Sequence, residues 1–218
     1  MGKFDTMELS DIRKEYTLRD LDSKDVMQNP IKQFELWMKE AIQVKVNEPN
    51  AMTLSTVTTD GRPSARIVLL KGIEDDQFVF YTNLQSQKGK ELDGNPACAL
   101  TFFWPELERQ VRIEGTAIQV KEDVAVAYFQ SRPRSSQVGA WTSPQSSIIK
   151  DRQLLDERVA EIEKRFRGEQ ILPKPKQWGG YQVQANEIEF WQGRPSRLHD
   201  RIVYYLVDGK WTKHRLAP

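Results

Sequence analysis

Short strands joined by tight turns constrain the fold of this chain more than any other feature. Residues 51–58 are rich in Thr and Val, and the Asp60-Gly61 dipeptide that follows is typical of a β-hairpin turn. Further strands are predicted at 64–71, 78–82, 97–103, 109–120, 180–184, 187–191, 202–207 and 210–216. Strands of this kind predict an α+β fold that is mainly antiparallel β, as a barrel or a sandwich.

Helices are predicted around these strands. Asn29-Pro30 supplies an N-cap and a proline at the first helical position, and apolar residues then repeat at helical spacing to Ile42. Ser86 caps a short helix that Gly94 ends. Two more helices are predicted at 122–131 and 151–166, and a loop at 133–149.

The order of these elements predicts the domain organisation. Strands occur on both sides of the helical middle, which favours one domain at 29–218 over two smaller ones. Residues 1–28 are highly charged and only weakly periodic, so we expect them to form a flexible N-terminal arm.

Composition argues against several classes of protein. Lys and Arg number 32 against 31 Asp and Glu, so the chain lacks the basic field of a nucleic-acid-binding protein. A single cysteine, Cys98, precludes an intramolecular disulfide, and with only two histidines we expect no metal site. No apolar run is long enough to span a bilayer, and residues 1–16 lack the apolar core of a signal peptide. We therefore expect a cytoplasmic protein without a membrane partner.

The segment Phe190–Arg201 has the features of a ligand-facing loop. Apolar residues end at Trp191, and three arginines and a histidine follow around Gly193 and Pro195. Trp191 shares a strand face with two glutamates, which makes it a candidate contact for a ligand or partner. Arg197 can stack on a ring. His199 is either a proton shuttle or a hydrogen-bonded structural histidine, and the residues alone do not separate these two interpretations.

Other candidate anion contacts are distributed along the chain. Arg66 and Lys71 bracket an apolar strand, but period-two alternation points their side chains to opposite faces. Lys88 follows a helix cap, where a phosphate can bind, although on local grounds a solvated lysine is the favoured interpretation.

Two further clusters carry phosphate-capable donors. Tyr128, Arg132 and Ser136 are spaced by four, although Pro133 interrupts any single helix through them. Gln145 and Ser146 form a second polar cluster. The six cations at 66, 71, 88, 132, 197 and 201 are too many for one phosphate and suit two phosphorylated ring compounds.

Several long segments resemble the pyridoxamine 5'-phosphate oxidase family. They are ARIVLLK (65–71), FYTNLQSQK (80–88), LERQVRIEG (107–115), YFQSRPRSSQVGAW (128–141), WGGY (178–181) and EFWQG with RLHDR (189–201). The resemblance implies a split β-barrel homodimer with FMN at the subunit interface. It also implies oxidation of pyridoxamine or pyridoxine 5'-phosphate to pyridoxal 5'-phosphate by hydride transfer from C4' to flavin N5. Oxygen would be the acceptor, giving hydrogen peroxide, with ammonia released from the amine.

The resemblance also implies roles for individual residues. FMN contacts would be Arg66, Ile67, Val68, Leu69, Leu70, Lys71, Tyr81, Thr82, Lys88, Gln110, Gln145, Ser146, Trp191 and Arg201. Substrate contacts would be Lys71, Tyr128, Arg132, Ser136, Arg197, Leu198 and His199, with Arg13 and Tyr16 from the arm. Arg197 and His199 would be the catalytic pair.

One departure and three alternatives qualify this resemblance. Gln87 stands where related enzymes often have arginine, which predicts somewhat weaker FMN binding. The alternatives are a non-catalytic split-barrel protein that binds flavin or pyridoxal phosphate, a flavin reductase with another donor, and a nucleic-acid-binding barrel. The RLHDR loop and the cluster at 128–136 favour the oxidase, since a second phosphorylated compound needs its own anchors.

Overall fold

The computed structural model describes residue 12 and residues 14–218. The described residues form five α-helices: α1 Pro30–Gln43, α2 Gln87–Gly94, α3 Glu122–Ser131, α4 Arg134–Thr142 and α5 Gln153–Arg165. They also form nine strands: β1 Ala51–Val57, β2 Pro63–Leu69, β3 Gly72–Glu74, β4 Gln77–Asn83, β5 Ala97–Trp104, β6 Arg109–Gln119, β7 Trp178–Gln192, β8 Asp200–Val207 and β9 Lys210–Leu216. Strands with antiparallel pairing dominate, which confirms the predicted fold class.

The strands form one sheet in the order β2-β1-β5-β6-β7-β4-β3, and β8 pairs with β7 and β9. β1 pairs antiparallel with β2, with Met52 opposite Val68 and Leu54 opposite Arg66. β4 pairs antiparallel with β7, with Tyr81 opposite Gly180. β2 stands at the end of this order, so only one of its edges is paired within the described chain.

The chain divides into two compact units. The larger contains Asn50–Phe102 and Arg112–Glu187, and the smaller contains the described residues up to Pro49, Phe103–Val111 and Ile188–Pro218. Three strands, β5, β6 and β7, run from one unit into the other along the chain. The expectation of a single domain over 29–218 stays a prediction.

The larger unit buries apolar side chains in two places, on one face of β1 and against helices α3, α4 and α5. Alternate residues of β1 are buried, as expected for a strand with one face on a core. Helices α3, α4 and α5 bury a second set of apolar side chains, which consists of Ala125, Phe129, Val138, Ile162, Phe166, Leu172 and Trp178. This cluster fixes the positions of the helix ends that carry Arg132 and Ser136.

In the smaller unit, α1 begins as predicted. The Asn29 side chain accepts hydrogen bonds from the backbone N–H groups of Ile31 and Lys32, with Pro30 in the first turn. The buried face of the helix contains Phe34 and Trp37, whose rings pack against Trp104 and Phe190 respectively. β8 and β9 form an antiparallel hairpin.

Three boundaries differ from the sequence-based expectation. The loop expected at 133–149 contains helix α4, because burial of Gln137, Val138 and Thr142 along one face outweighs the low helix propensity of its Ser and Gly. The strands expected at 180–184 and 187–191 are one strand, β7. A short strand, β3, precedes the predicted turn at 74–76 and pairs with β4. Among the described residues, no helix is long and apolar enough to cross a membrane.

Candidate active site

A cavity of about 470 Å³ in the larger unit brings together four of the six predicted cations. They are Arg66, Lys71, Lys88 and Arg132, which are separated by up to 66 positions in sequence. The remaining lining residues are Ile67, Val68, Leu69, Tyr81, Thr82, Asn83, Ser136, Gly139, Ala140, Ser143, Gln145 and Trp178. Its size lies within the range of small-molecule sites, and its charge favours an anionic ligand.

Strand β2 forms one wall of this cavity despite the alternation of its side chains. Arg66 through Leu69 all contribute to the lining, as does Lys71 beyond the strand end. Four consecutive residues of a strand point alternately to its two faces, so the lining includes side chains from both faces of β2. Leu70, which was predicted to contact FMN, is buried with 7% of its surface exposed and does not contribute to the lining.

A buried carboxylate holds the Arg66 guanidinium in place. Arg66 Nη2 lies 3.0 Å from Glu91 Oε2, and Arg66 also donates to the hydroxyls of Thr56 and Ser64. Glu91 accepts further hydrogen bonds from Thr56, Ser64 and Gln87. Burial opposes the charge on Glu91, but these hydrogen bonds outweigh it and lower the pKa of Glu91 to about 2.

The solvated lysine favoured on local grounds at position 88 is wrong. Ser86 caps α2 as predicted, but Lys88 is only 9% exposed. Its Nζ donates to Gln145 Oε1 at 3.0 Å and to Thr82 Oγ1 at 3.3 Å. Burial lowers the pKa of Lys88, and the nearby charge of Arg66 lowers it further. This ammonium is therefore a partly desolvated cation at the cavity wall.

Three aromatic rings stack beside the cavity. The Tyr81 ring centroid lies 3.9 Å from that of Tyr128 and 5.3 Å from that of Trp178, and the Tyr128 and Trp178 centroids lie 6.1 Å apart. Burial raises the pKa of Tyr81 to about 12, and Glu74 and Tyr128 contribute to that shift. Burial also raises the pKa of Tyr128. Both phenols therefore stay protonated at neutral pH and can act as hydrogen-bond donors.

Arg132 contributes an aromatic contact and an unsatisfied donor to the cavity. Its guanidinium carbon lies 5.0 Å from the Trp178 ring centroid, and its buried Nη1 has no hydrogen-bond partner among the described residues. Burial is the main cause that lowers the pKa of Arg132, although the group remains a cation. Native proteins rarely leave a buried guanidinium nitrogen unsatisfied, so this atom is a candidate donor to an anionic ligand.

Ser136 lines the same cavity, but it does not lie on one helix with Tyr128 and Arg132, as their spacing by four would suggest. Tyr128 lies on α3, which ends at Ser131, whereas Ser136 lies on α4, which begins at Arg134. Pro133 separates the two helices, so the three residues do not share one helix face. Arg132 in the connection and Ser136 in the first turn of α4 both line the cavity.

The predicted loop 190–201 surrounds a second cavity, of about 550 Å³, in the smaller unit. The cavity is lined by Arg194, Ser196, Arg197 and His199 together with Ile12, Lys14, Glu15 and Tyr16 of the arm. Arg197 and Leu198 are exposed, and both Ser196 and Arg197 have positive φ angles, 56° and 60°. Such backbone strain is common in loops that bind ligands.

His199 has a defined environment in this loop. Its Nδ1 accepts a hydrogen bond from the backbone N–H of Arg194 at 3.1 Å, and its ring lies 4.6 Å from Trp191. Burial and the charge of Arg197 lower the pKa of His199 below its ordinary value. The ring is therefore neutral at pH 7, with its proton on Nε2.

The remaining predicted residues have other surroundings. Arg201 forms a bidentate ion pair with Glu189, which is 3% exposed. Hydrogen bonding to Glu189 is the main cause that raises the pKa of Arg201. Gln110 is half-buried on β6, and Ser146 is exposed with a φ of 70°. Arg13 lies outside the described residues.

Sequence reasoning gave no role to Trp178, which lines the larger cavity, or to Glu91, which holds Arg66 at its wall. Trp178 lies within the quoted WGGY segment, yet it received no role, although an aromatic directly before a Gly-Gly pair indicates a close approach of backbone. Glu91 gave no signal, because a glutamate in an amphipathic helix is normally solvent-exposed.

The chain matches family models over most of its length. The model described as pyridoxamine 5'-phosphate oxidase matches residues 38–166. The model described as the pyridoxine 5'-phosphate oxidase C-terminal dimerisation region matches residues 178–218.

Curated relatives agree with these models. The pyridoxine/pyridoxamine 5'-phosphate oxidase of Chromobacterium violaceum is 52% identical over 98% of this chain and 100% of its own length. The protein of the same name from Leptospira interrogans is 53% identical over 96% of this chain and 98% of its own length.

Solved structures confirm the predicted split-barrel fold. PhzG from Burkholderia lata, in complex with tetrahydrophenazine-1-carboxylic acid, has a TM-score of 0.87 and 29% identity, covering 94% of this chain and all of that one. A pyridoxamine 5'-phosphate oxidase-related, FMN binding protein from Nostoc punctiforme has a TM-score of 0.70 at 17% identity over 88% of this chain and all of that one. Together with the family models and the relatives, these matches show that the chain belongs to the pyridoxamine 5'-phosphate oxidase family.

Proposed function

We propose that this protein uses FMN to oxidise pyridoxamine 5'-phosphate or pyridoxine 5'-phosphate to pyridoxal 5'-phosphate. The amine, one oxygen molecule and one water give the aldehyde, ammonia and hydrogen peroxide, and the alcohol and oxygen give the aldehyde and hydrogen peroxide. The single observation that carries the proposal is Arg132, a half-buried cation whose buried Nη1 has no hydrogen-bond partner among the described residues, in a cavity with three other cations. A phosphorylated ligand would supply the acceptor for this nitrogen.

The cavity contains enough donors for two phosphates. Lys88 and Arg66, near the cap of α2, would hold the phosphate of FMN, with Thr82 and Gln145 beside them. Arg132, Ser136 and Lys71 would hold the phosphate of the substrate. Tyr128, whose ring stacks on Tyr81 of the cavity wall, would complete that set. The free edge of β2 would lie along the flavin ring, where unpaired backbone groups can hydrogen-bond with its heteroatoms.

FMN supplies, when bound, the hydride acceptor at N5 for the C4' hydrogen of the substrate, and oxygen restores its oxidised form. Arg197 is an exposed cation that would orient the pyridine ring. His199 is neutral with its proton on Nε2, so it would donate a hydrogen bond to the substrate rather than act as a strong base. Leu198 would pack on the ring between them. These residues position the substrate, and positioning is the main contribution of a protein to cofactor chemistry.

A homodimer would account for three of the predicted FMN contacts that do not line the cavity. These are Gln110, Trp191 and Arg201, and Arg201 is instead held by Glu189. The C-terminal match to a dimerisation region supports a homodimer. We place FMN at the subunit interface, where a second copy would contribute these three residues. We expect a cytoplasmic enzyme.

Anaerobic spectroscopy of the purified protein tests this function. FMN-loaded protein should lose its visible flavin absorbance on addition of pyridoxamine 5'-phosphate, and should recover it in air as pyridoxal 5'-phosphate accumulates. Pyridoxamine without its phosphate is the matched control and should bleach the flavin much more slowly. Unchanged absorbance after full loading would indicate a binding protein or a reductase, and failure to bind FMN would exclude every flavin function.

A further inference from the structure

Glu108, in the turn before β6, connects the N-terminal arm to the rest of the smaller unit. Its side chain is 3% exposed, and its backbone has a φ of 54°. Its Oε2 accepts hydrogen bonds from the backbone N–H groups of Thr17 at 2.9 Å and Leu18 at 3.0 Å. Lys14 Nζ lies 3.6 Å from its Oε1. A buried carboxylate requires such donors. The arm, in the position where Thr17 and Leu18 lie against Glu108, therefore supplies the hydrogen bonds that this carboxylate needs. We call this position of the arm closed.

The backbone of Glu108 also fixes the start of the His199 loop. The Glu108 carbonyl accepts hydrogen bonds from the N–H of Gly193 at 2.8 Å and from Gln192 Nε2 at 3.1 Å. One residue therefore holds the arm by its side chain and the loop by its main chain.

Between these two anchors, the Tyr16 ring lies against the loop. Its centroid is 5.6 Å from that of Trp191 and 5.8 Å from that of His199. A Cβ atom at Gly193 would lie 2.6 Å from Tyr16 Cγ, so this close approach requires glycine. The position of Tyr16 is thus determined by Glu108 on one side and by Gly193 on the other.

We propose that Glu108 is a positioning residue for the oxidase reaction, acting as the latch that keeps Tyr16 on Trp191 and His199. This inference rests on the proposed function, because the loop that Tyr16 covers is the loop assigned to the substrate ring. Glu108 itself lines neither cavity and would not touch the substrate. Its effect is on the fraction of molecules whose arm is closed, and the apparent substrate affinity scales with that fraction.

Limited trypsin digestion of the FMN-loaded protein tests the latch without turnover. The exposed side chains of Lys14 and Arg19 are cleavage sites flanking the Thr17–Leu18 anchor. Glu108→Ala should increase cleavage at these sites on the order of tenfold, since both anchoring hydrogen bonds are lost. Glu108→Gln retains an acceptor oxygen and should restore most of the protection. Glu35→Gln, a carboxylate change on the exposed side of α1, should match the wild-type protein.

Two variants of Leu18 test the same hydrogen bond by changing the donor in the arm instead of the acceptor, Glu108. Leu18→Pro removes one donated N–H without altering Glu108, whereas Leu18→Ala retains that N–H and is its control. In steady-state assays, Glu108→Ala and Leu18→Pro should raise KM for pyridoxamine 5'-phosphate on the order of tenfold, with a smaller change in kcat and unchanged FMN retention.

Equal cleavage of the Glu108→Ala and wild-type arms would overturn the latch, as would a Leu18→Pro arm as protected as the Leu18→Ala arm. If Glu108→Ala does not fold, the comparison of trypsin cleavage between Leu18→Pro and Leu18→Ala tests the latch by itself. An arm released by these variants in a protein without oxidase activity would support the latch and contradict the proposed function instead.

Discussion

The side-chain nitrogen of Lys88 lies 3.0 Å from the amide oxygen of Gln145, 57 positions further along the chain. This contact joins the first turn of α2 to the polar segment after α4 at the wall of the larger cavity. Gln145 thus holds a buried ammonium in place with a neutral acceptor, which leaves its full charge available for an anion.

Lys88→Met should weaken FMN binding by about 10- to 100-fold, because a buried charge–phosphate contact is replaced by an apolar chain of similar length. Fluorescence quenching during FMN titration measures this affinity. Lys90→Met, which removes an exposed cation from the same helix, is the control and should bind FMN nearly as the wild-type protein does. Comparable losses in both variants would mean that the general charge of the helix matters, and not the position of Lys88.

Arg132→Met should lower kcat/KM for pyridoxamine 5'-phosphate by about 100-fold and leave FMN retention intact, since the lost contact is assigned to the substrate phosphate. Unphosphorylated pyridoxamine provides the control, because its poor turnover should not change in the variant. Steady-state kinetics with both substrates gives the comparison. An equal proportional loss with the two substrates would show that Arg132 acts on something other than the phosphate.

The neutral state of His199 predicts how kcat/KM depends on pH on the acidic side of neutrality. Burial and Arg197 lower its pKa, so kcat/KM should fall only below pH 6.5, the ordinary value, as protonation of Nδ1 removes the acceptor for Arg194 N–H. The unfolded state takes up this proton more readily, so the contribution of His199 to stability also falls as pH decreases below 6.5. NMR titration of the imidazole gives the pKa directly, with His199→Asn lacking the signal. An imidazole titrating above 6.5 would contradict this account.

Glu91 predicts a second, more acidic dependence. Its pKa falls from 4.5 to about 2 on folding, so its contribution to stability is complete above pH 4.5 and is lost as pH falls through 2. Glu91→Gln should therefore reduce the free energy of unfolding at pH 7 by roughly 1–3 kcal/mol. The difference from the wild-type protein should shrink on acidification, as urea unfolding at several pH values can measure. A difference independent of pH would indicate lost packing and not lost charge.

Two helix glycines form a matched pair for substitution. A Cβ at Gly89 would lie 2.1 Å from the backbone oxygen of Leu84, whereas one at Gly139 would have no neighbour within 4 Å. Gly89→Ala should cost about 2–4 kcal/mol of stability because the backbone must move. Gly139→Ala should add up to about 1 kcal/mol through helix propensity. Chemical unfolding compares them, and a stable Gly89→Ala protein would show that α2 can shift without penalty.

Local sequence patterns predicted most of the secondary structure. Asn29-Pro30 and Ser86 are caps whose hydrogen bonds form within a few residues, so their sequence alone sets where α1 and α2 begin. Helix α4 was missed because its formation depends on burying Gln137 and Val138, a tertiary effect that its Ser- and Gly-containing sequence opposes.

The candidate site also has features that the sequence predicts and features that depend on the tertiary structure. The sequence by itself determined which residue types are available: the arginines, lysines and hydroxyls of segments whose resemblance to a flavin oxidase family is long and ordered. Only the tertiary structure decided that Lys88 is buried, that Arg132 Nη1 is buried with no partner in the described part of the chain, and that Glu91 holds Arg66. The physical reason is that burial and hydrogen-bond partnership depend on atoms brought together from distant parts of the chain. Periodicity and spacing describe only the backbone near each residue.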